Sequence, residues 1–162
     1  MSSTDTDWLY FEDFYVGWEM TLGPRVMGED EIRAFATNYD PQTFHVDPEE
    51  AKHSIFGGLV ASGWHTASVC MRLMVDGYLK RSASLASPGV DKIRWLRPVR
   101  PGDSITLKMV VTDVVPSQSR PDRGLVRSTW EGRNQNGDVV ITIEGMGLFG
   151  RRPVPTEQAE PA

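Results

Sequence analysis

The densest run of polar and ionisable side chains lies between Tyr39 and Asp47. Within this run the carboxylate of Asp40 and the imidazole of His45 stand five positions apart, in a segment that contains proline. An Asp and a His that point into one cleft can act as general base and proton donor, and each group accelerates proton transfer by about 10²–10⁴ when well placed. The pair therefore predicts chemistry in which a water molecule is activated.

A second segment could supply the hydrogen-bond donors that such a reaction needs. Backbone N–H groups can stabilise a carbonyl oxygen that becomes negative during the reaction. Each such donor increases the rate by about 10²–10³. The run FGGLVASG, residues 56–63, leads directly into a stretch of helical periodicity, whose first N–H groups are free and lie at its positive end. Gly57 and Gly58 are predicted to bind substrate, because glycine lets a ligand approach the backbone closely. Ser62, in the same run, is also predicted to bind substrate.

Two helices are predicted to position these segments. Ile32, Phe35 and Ala36 give a short helix one apolar face, and this helix ends near Asn38, ahead of a loop over residues 40–58. The second helix covers about residues 63–80 and is apolar nearly all round, which is typical of a buried helix.

A set of strands completes the pattern. A short strand is predicted at residues 18–22, and four more follow the long helix at residues 90–97, 104–115, 125–133 and 139–149. The dipeptide Asn136-Gly137 favours a tight turn between the last two strands. A sheet with one apolar face must cover a partner, and only the long helix is large enough. We therefore predict an α+β fold in which an antiparallel sheet wraps around a long central helix.

The bulk composition excludes several functional classes. The 162 residues predict a single domain over residues 8–150, with a flexible N-terminus at residues 1–7 and a flexible tail at residues 151–162. The net charge of −5 argues against a nucleic-acid partner, and one cysteine allows no internal disulfide. We expect no membrane span and no signal peptide, and hence a cytoplasmic location.

The runs DPQTFHVDPEEA, FGGLVASGWHT and LRPVRPGD resemble the MaoC-like family of hot-dog proteins, which includes (R)-specific enoyl-CoA hydratases. The resemblance covers about residues 11–149. It implies a hot-dog fold and the reversible hydration of a trans-2-enoyl thioester, or the dehydration of a 3-hydroxyacyl thioester. It also implies a substrate carried on CoA or on acyl-carrier protein, a homodimer, and no metal or other cofactor.

The resemblance also assigns roles to individual positions. Asp40 and His45 match the family's water-activating pair, and Gly63 matches its backbone oxyanion donor. The chain departs from the family's motif at Gln42, where Asn is usual, and at Thr43, where Pro is usual. This departure bears on the substrate more than on the pair itself.

Two other functions remain open at this point, a hot-dog acyl-CoA thioesterase and a non-catalytic subunit that binds acyl thioesters. The remaining candidate residues have simpler interpretations. We expect His65 to support the site or fill the core, Asp47 to cap a short helical turn, and Cys70 to be a small core residue. Basic residues of the 90–100 segment are expected on a solvated face rather than on CoA phosphates; they are Lys92, Arg94, Arg97 and Arg100.

Overall fold

The computed structural model of the protein describes residues 8–155. Its frame is one antiparallel sheet of six strands in that range: β1 (Glu19–Val26), β2 (Ser84–Ala86), β3 (Val90–Trp95), β4 (Ser104–Pro116), β5 (Arg123–Arg133) and β6 (Val139–Gly150). The strand order is β1-β4-β5-β6, and β2 and β3 share the outer edge of β6. The α-helices of the described residues are α1 (Glu29–Tyr39), α2 (Thr43–Val46), α3 (Pro48–Ala51) and α4 (Gly63–Gly77).

The sheet has one apolar face because its long strands alternate in burial. In β4 the residues Ile105, Leu107, Met109 and Val111 are all buried, and the positions between them are more exposed. Side chains of a strand point to opposite faces in turn, so these four share one face. Helix α4 packs against that face, where its Cys70 approaches Gly132 of the neighbouring strand β5. The predicted α+β architecture, a sheet around a central helix, is confirmed.

Helix α4 is buried on one side only. Its inward side chains are His65, Thr66, Val69, Cys70 and Met74. On the other side Trp64 is 56% exposed and Met71 is 42% exposed, so the prediction of a helix buried all round is wrong for the single chain. The helix also ends at Gly77, earlier than predicted, because Tyr78 leaves the helical conformation and packs against Phe14 and Trp18.

Three short elements were not predicted. Helices α2 and α3 fall within the predicted loop over residues 40–58, and β2 lies between α4 and β3, where no strand was predicted. Asp47 caps α3 as predicted, since its carboxylate accepts hydrogen bonds from the N–H groups of Glu49 and Glu50. Strand β1 is longer than predicted and continues to Val26 past an irregular register.

The two ends of the described chain lie together. Arg151 pairs with Glu12 at 3.0 Å, and Arg152 pairs with Asp13 at 3.0 Å, so the first two residues of the predicted tail are held against the domain. The predicted flexible segment at residues 1–7 and the remainder of the tail from residue 156 lie outside the described residues. Among residues 8–155, none of the helices has the length and apolar character needed to cross a membrane.

Candidate active site

The chain brings Asp40 and His45 together. Asp40 ends α1, where its N–H donates to the Ala36 carbonyl and its backbone turns out of the helix ahead of Pro41. His45 lies in α2, the single helical turn that follows, with its ring buried. The His45 Nε2 atom is 3.3 Å from Oδ2 of Asp40. The end of α1 and the single turn of α2 thus bring Asp40 and His45, five positions apart in sequence, into contact.

A backbone carbonyl fixes the protonation pattern of the His45 ring. Nδ1 lies 2.6 Å from the Val60 carbonyl oxygen. A carbonyl can only accept, so Nδ1 carries the hydrogen and donates it. In the neutral ring Nε2 is then an acceptor, and it is this atom that faces the Asp40 carboxylate.

Asp40 is held as a carboxylate by two side-chain donors. Ser62 Oγ donates to Oδ2 at 2.7 Å, and Gln42 Nε2 donates to Oδ1 at 2.7 Å. Burial raises the pKa of Asp40, but these hydrogen bonds and the His45 ring outweigh burial, so the pKa lies below its usual value. The carboxyl group is therefore ionised at neutral pH, as a general base must be. Gln42, which departs from the family's motif, thus donates a hydrogen bond directly to the Asp40 carboxylate.

The pair opens into a cavity of about 450 Å³ between the start of α4 and the end of β3. Besides Asp40 and His45 its wall contains Gly63, Thr66 and Arg97. The rest is largely apolar, with aromatic side chains from Phe44, Phe56, Trp64 and Trp95.

Gly63 is the first residue of α4, so its N–H has no acceptor within the helix and lies at the positive end of the helix dipole. A Cβ at this position would lie 2.5 Å from the Trp95 indole, so only glycine fits without displacing that ring.

The structure places the predicted substrate-binding residues differently. Gly57 and Gly58 are not part of the cavity wall. Gly57 forms a turn with a φ of +67°, and Gly58 packs beside Arg100, whose guanidinium donates to the Phe56 carbonyl at 2.6 Å. Ser62 is completely buried and bonds to Asp40 instead of facing the cavity.

The aromatic wall was missed in the sequence. Trp95 lines the cavity and directly precedes the LRPVRPGD run that carries part of the family pattern. Phe44 lies inside the Asp-His segment, and its ring contacts His45 with centroids 4.5 Å apart. Position next to a motif was the available signal for both residues.

Of the remaining candidates, Arg97 lines the cavity, while His65 and Cys70 lie outside its wall. His65 is buried, stacks on Phe35 and has Nε2 3.5 Å from Glu31, so it joins α4 to α1, as its predicted supporting role requires. Burial lowers the pKa of His65, although Glu31 opposes that shift. Cys70 is buried, and burial raises its pKa to about 12, so the thiol stays protonated in the core, as predicted.

Comparison with known proteins relates the chain to a family of hydratases and dehydratases. The family model described as a MaoC like domain matches residues 16–129. The (R)-specific enoyl-CoA hydratase of Rhodospirillum rubrum is 29% identical over 124 residues, which are 73% of this chain and 80% of that protein. The 3-hydroxybutyryl-CoA dehydratase of Methylorubrum extorquens is 26% identical over 139 residues, 83% of this chain and 84% of that protein.

A solved structure extends the likeness to the whole domain. A MaoC-like dehydratase from Rhodospirillum rubrum superposes with a TM-score of 0.84 at 40% identity, covering 90% of this chain and 99% of that one. These findings confirm the predicted hot-dog fold and the prediction of a hydro-lyase. The family model spans more than half of the sequence, and the chain therefore belongs to the MaoC-like domain family of hydratases and dehydratases.

Proposed function

We propose that this protein catalyses the reversible addition of water to a trans-2-enoyl thioester, with Asp40 and His45 activating the water. The observation that carries the proposal is the pair itself, with Nε2 of His45 3.3 Å from an ionised Asp40, in a cavity that also contains Gly63. In the reverse direction the same groups would dehydrate a 3-hydroxyacyl thioester.

The hydrogen-bond pattern suggests how the water is held. With a neutral His45 ring, its Nε2 and Oδ2 of Asp40 both accept hydrogen bonds. A water molecule that donates one hydrogen to each would leave its lone pairs free for C3 of the substrate. Asp40 takes a proton as the oxygen–C3 bond forms. Negative charge then moves to the thioester oxygen, where the Gly63 N–H can donate to it. Transfer of the proton from Asp40 to C2 completes the hydrated product and restores the carboxylate.

We further propose that the substrate is carried as a CoA thioester. Two relatives reported above are named for CoA thioesters, an enoyl-CoA hydratase and a 3-hydroxybutyryl-CoA dehydratase. The apolar and aromatic wall of the cavity suits an acyl group better than a charged substrate. Acyl-carrier protein is the competing carrier, and substrates of both kinds would distinguish the two.

The working form is proposed to be a homodimer. One edge of β3 pairs with β6, while its other edge has no partner strand within residues 8–155. Large apolar side chains are exposed beside this edge, among them Trp64, Val90, Trp95 and Leu96. Open strand edges and contiguous apolar surface are typical of interfaces. A second copy of the chain that adds its own β3 would cover both.

The reaction can be tested with crotonyl-CoA, because hydration removes the conjugated double bond and its ultraviolet absorbance. A thiol reagent in parallel wells detects cleavage of the thioester. We expect the absorbance to fall without release of thiol. Release of thiol would instead establish a thioesterase, and acyl-CoA binding without either signal, also with carrier-protein substrates, would leave a binding subunit.

A further inference from the structure

His65 is a buried histidine, 3% exposed, in the first turn of α4. Its Nε2 atom lies 3.5 Å from Oε1 of Glu31, whereas its Nδ1 atom is buried and has no hydrogen-bond partner among the described residues. Buried polar atoms are almost always hydrogen-bonded, so a histidine with one unpaired nitrogen is a poor filler of an apolar core. What a histidine supplies at this position, and an apolar side chain does not, is the contact with Glu31.

The Glu31 carboxylate is itself fixed by a second contact. Arg25 of β1 donates to the same oxygen, Oε1, at 2.6 Å. A carboxylate accepts hydrogen bonds, so the neutral His65 ring faces it with the hydrogen on Nε2, which leaves Nδ1 as a bare acceptor. Arg72 borders the same cleft between α1 and α4 but pairs with Asp76. Arg25, Glu31 and His65 thus join β1, α1 and α4.

The His65 ring also contacts the middle of α1. Phe35 stacks on it, with the ring centroids 4.8 Å apart and the planes 10° apart. Phe35 in turn packs against Tyr39, the last residue of α1, with centroids 5.1 Å apart. Glu31 and Phe35 are four residues apart and share one face of the helix. His65 therefore holds two successive turns of the helix that ends at Asp40.

A short piece of α4 connects His65 to the site. Ser62 is the N-cap of α4, and its carbonyl accepts the His65 N–H at 2.9 Å. The Ser62 hydroxyl donates to Oδ2 of Asp40 at 2.7 Å. Such O–H···O bonds need a separation of about 2.5–3.0 Å. A shift of α1 against α4 at His65 therefore changes whether Ser62 can reach Asp40.

We infer that His65 is a positioning residue for the reaction, which holds α1 against α4 so that the Ser62 hydroxyl stays within hydrogen-bonding distance of Asp40. This inference rests on the proposed function, in which Asp40 is the base. His65 is not part of the cavity wall, so it acts on the reaction through the Asp40 carboxylate and not on the substrate.

His65→Leu tests the inference, because leucine fills the space but cannot donate to Glu31. Without that contact the Ser62 hydrogen bond loosens, the pKa of Asp40 rises, and the acidic limb of the kcat/KM profile for crotonyl-CoA moves to higher pH. On that limb kcat/KM, relative to its plateau, should fall about threefold, as for partial loss of a hydrogen bond to a charged group. His65→Gln keeps an amide donor and should restore the profile.

Two further variants separate positioning from stability and from direct electrostatics. Val69 lies one turn further along α4, is buried and borders the same cleft, but it has no polar side-chain atom. Val69→Ala should lower the unfolding free energy and leave the acidic limb in place. Glu31→Ala removes a negative charge, which by itself would lower the pKa of Asp40, so a rise in that variant points to positioning. Among the described residues His45 is the titratable group that faces Asp40, and every variant keeps it.

A ¹³C NMR titration of the Asp40 carboxyl carbon measures the same pKa without substrate. Combining His65→Leu with Ser62→Ala should raise this pKa no further than Ser62→Ala alone, because both changes act through one hydrogen bond. The inference is overturned if Glu31→Ala and folded His65→Leu both leave the pKa of Asp40 unchanged, or if the effects of His65→Leu and Ser62→Ala add. Absence of hydration by the wild-type protein would overturn the proposed function, while the NMR titration would still decide the role of His65.

Discussion

At the scale of single residues, type and spacing were enough to identify Asp40 and His45, but not the groups that set their states. The serine that holds Asp40 is 22 positions away, and the carbonyl that fixes the His45 ring is 15 positions away. Contacts of this range depend on how α1, α2 and α4 meet, and no local pattern encodes them. For that reason Ser62 was predicted to bind substrate, while the structure shows it bound to Asp40.

The Ser62 hydroxyl should be visible in the pH dependence of the reaction. Its hydrogen bond is the first of the effects that lower the pKa of Asp40 against the opposing effect of burial. Ser62→Ala removes that donor, so the pKa rises and the acidic limb of the kcat/KM profile moves to higher pH. Ser68→Ala is a suitable control, because Ser68 is exposed on the same helix and bonds only to the Trp64 carbonyl. An acidic limb that stays in place in Ser62→Ala would contradict this assignment.

The same shift has a consequence for stability. The pKa of Asp40 in the folded protein lies below its ordinary value of 3.8, so the ionised carboxylate stabilises the fold above that value. This contribution is lost as pH falls through the pKa of the folded state. We expect the difference in unfolding free energy between wild type and Ser62→Ala to be present at neutral pH and to shrink in acid, as urea unfolding at several pH values would show.

At the scale of elements, length decided what could be predicted. Periodicity can be recognised in the sequence of the longer elements, which are α1, α4, β4, β5 and β6. Helices α2 and α3 are four residues each, about one turn, and a single turn has no period. The strand β2 is three residues long and exists through its pairing with β6, more than sixty positions away in sequence, which periodicity cannot reveal.

The contact between α4 and β3 gives a prediction at this scale. A methyl group at Gly63 would lie 2.5 Å from the Trp95 indole, so Gly63→Ala must displace that ring. Overpacking of this kind costs about 1–3 kcal/mol of unfolding free energy. If the clash is the cause, combining Gly63→Ala with Trp95→Leu should destabilise the protein by less than the sum of the two single changes. Additive losses in denaturant unfolding would show that Gly63 is needed for another reason.

At the scale of the whole molecule, the apolar sequence of α4 predicted that this helix is buried, but not whether its own chain or a partner covers it. The sequence of α4 is apolar nearly all round, and a single chain covers only one side of it. A pattern of apolar residues cannot distinguish burial in the chain's own core from burial against a partner. The exposed Trp64 and Met71 therefore fit the proposed dimer better than they fit an isolated chain.

The proposed dimer can be tested by sedimentation at micromolar concentration, where we expect twice the mass of the chain. Leu96→Glu introduces a charge among the exposed apolar residues beside β3 and should shift the protein toward monomer. Val154→Glu is the matched control, since Val154 is also exposed but lies beyond the sheet. A wild-type protein that sediments as a monomer would contradict the dimer and leave β3 open.

The central claim is that Asp40 and His45 activate water, and the hydration rate of crotonyl-CoA in Asp40→Asn tests it most directly. Asparagine keeps the shape of the side chain and can still accept from Ser62, but it cannot take up a proton. His45→Gln tests the second member of the pair, and Asp30→Asn makes the same change as Asp40→Asn at an exposed position of α1. We predict that kcat falls by about 10²–10⁴ in both site variants and is unchanged in the control, with all three folded by circular dichroism. Full activity in Asp40→Asn would contradict the account.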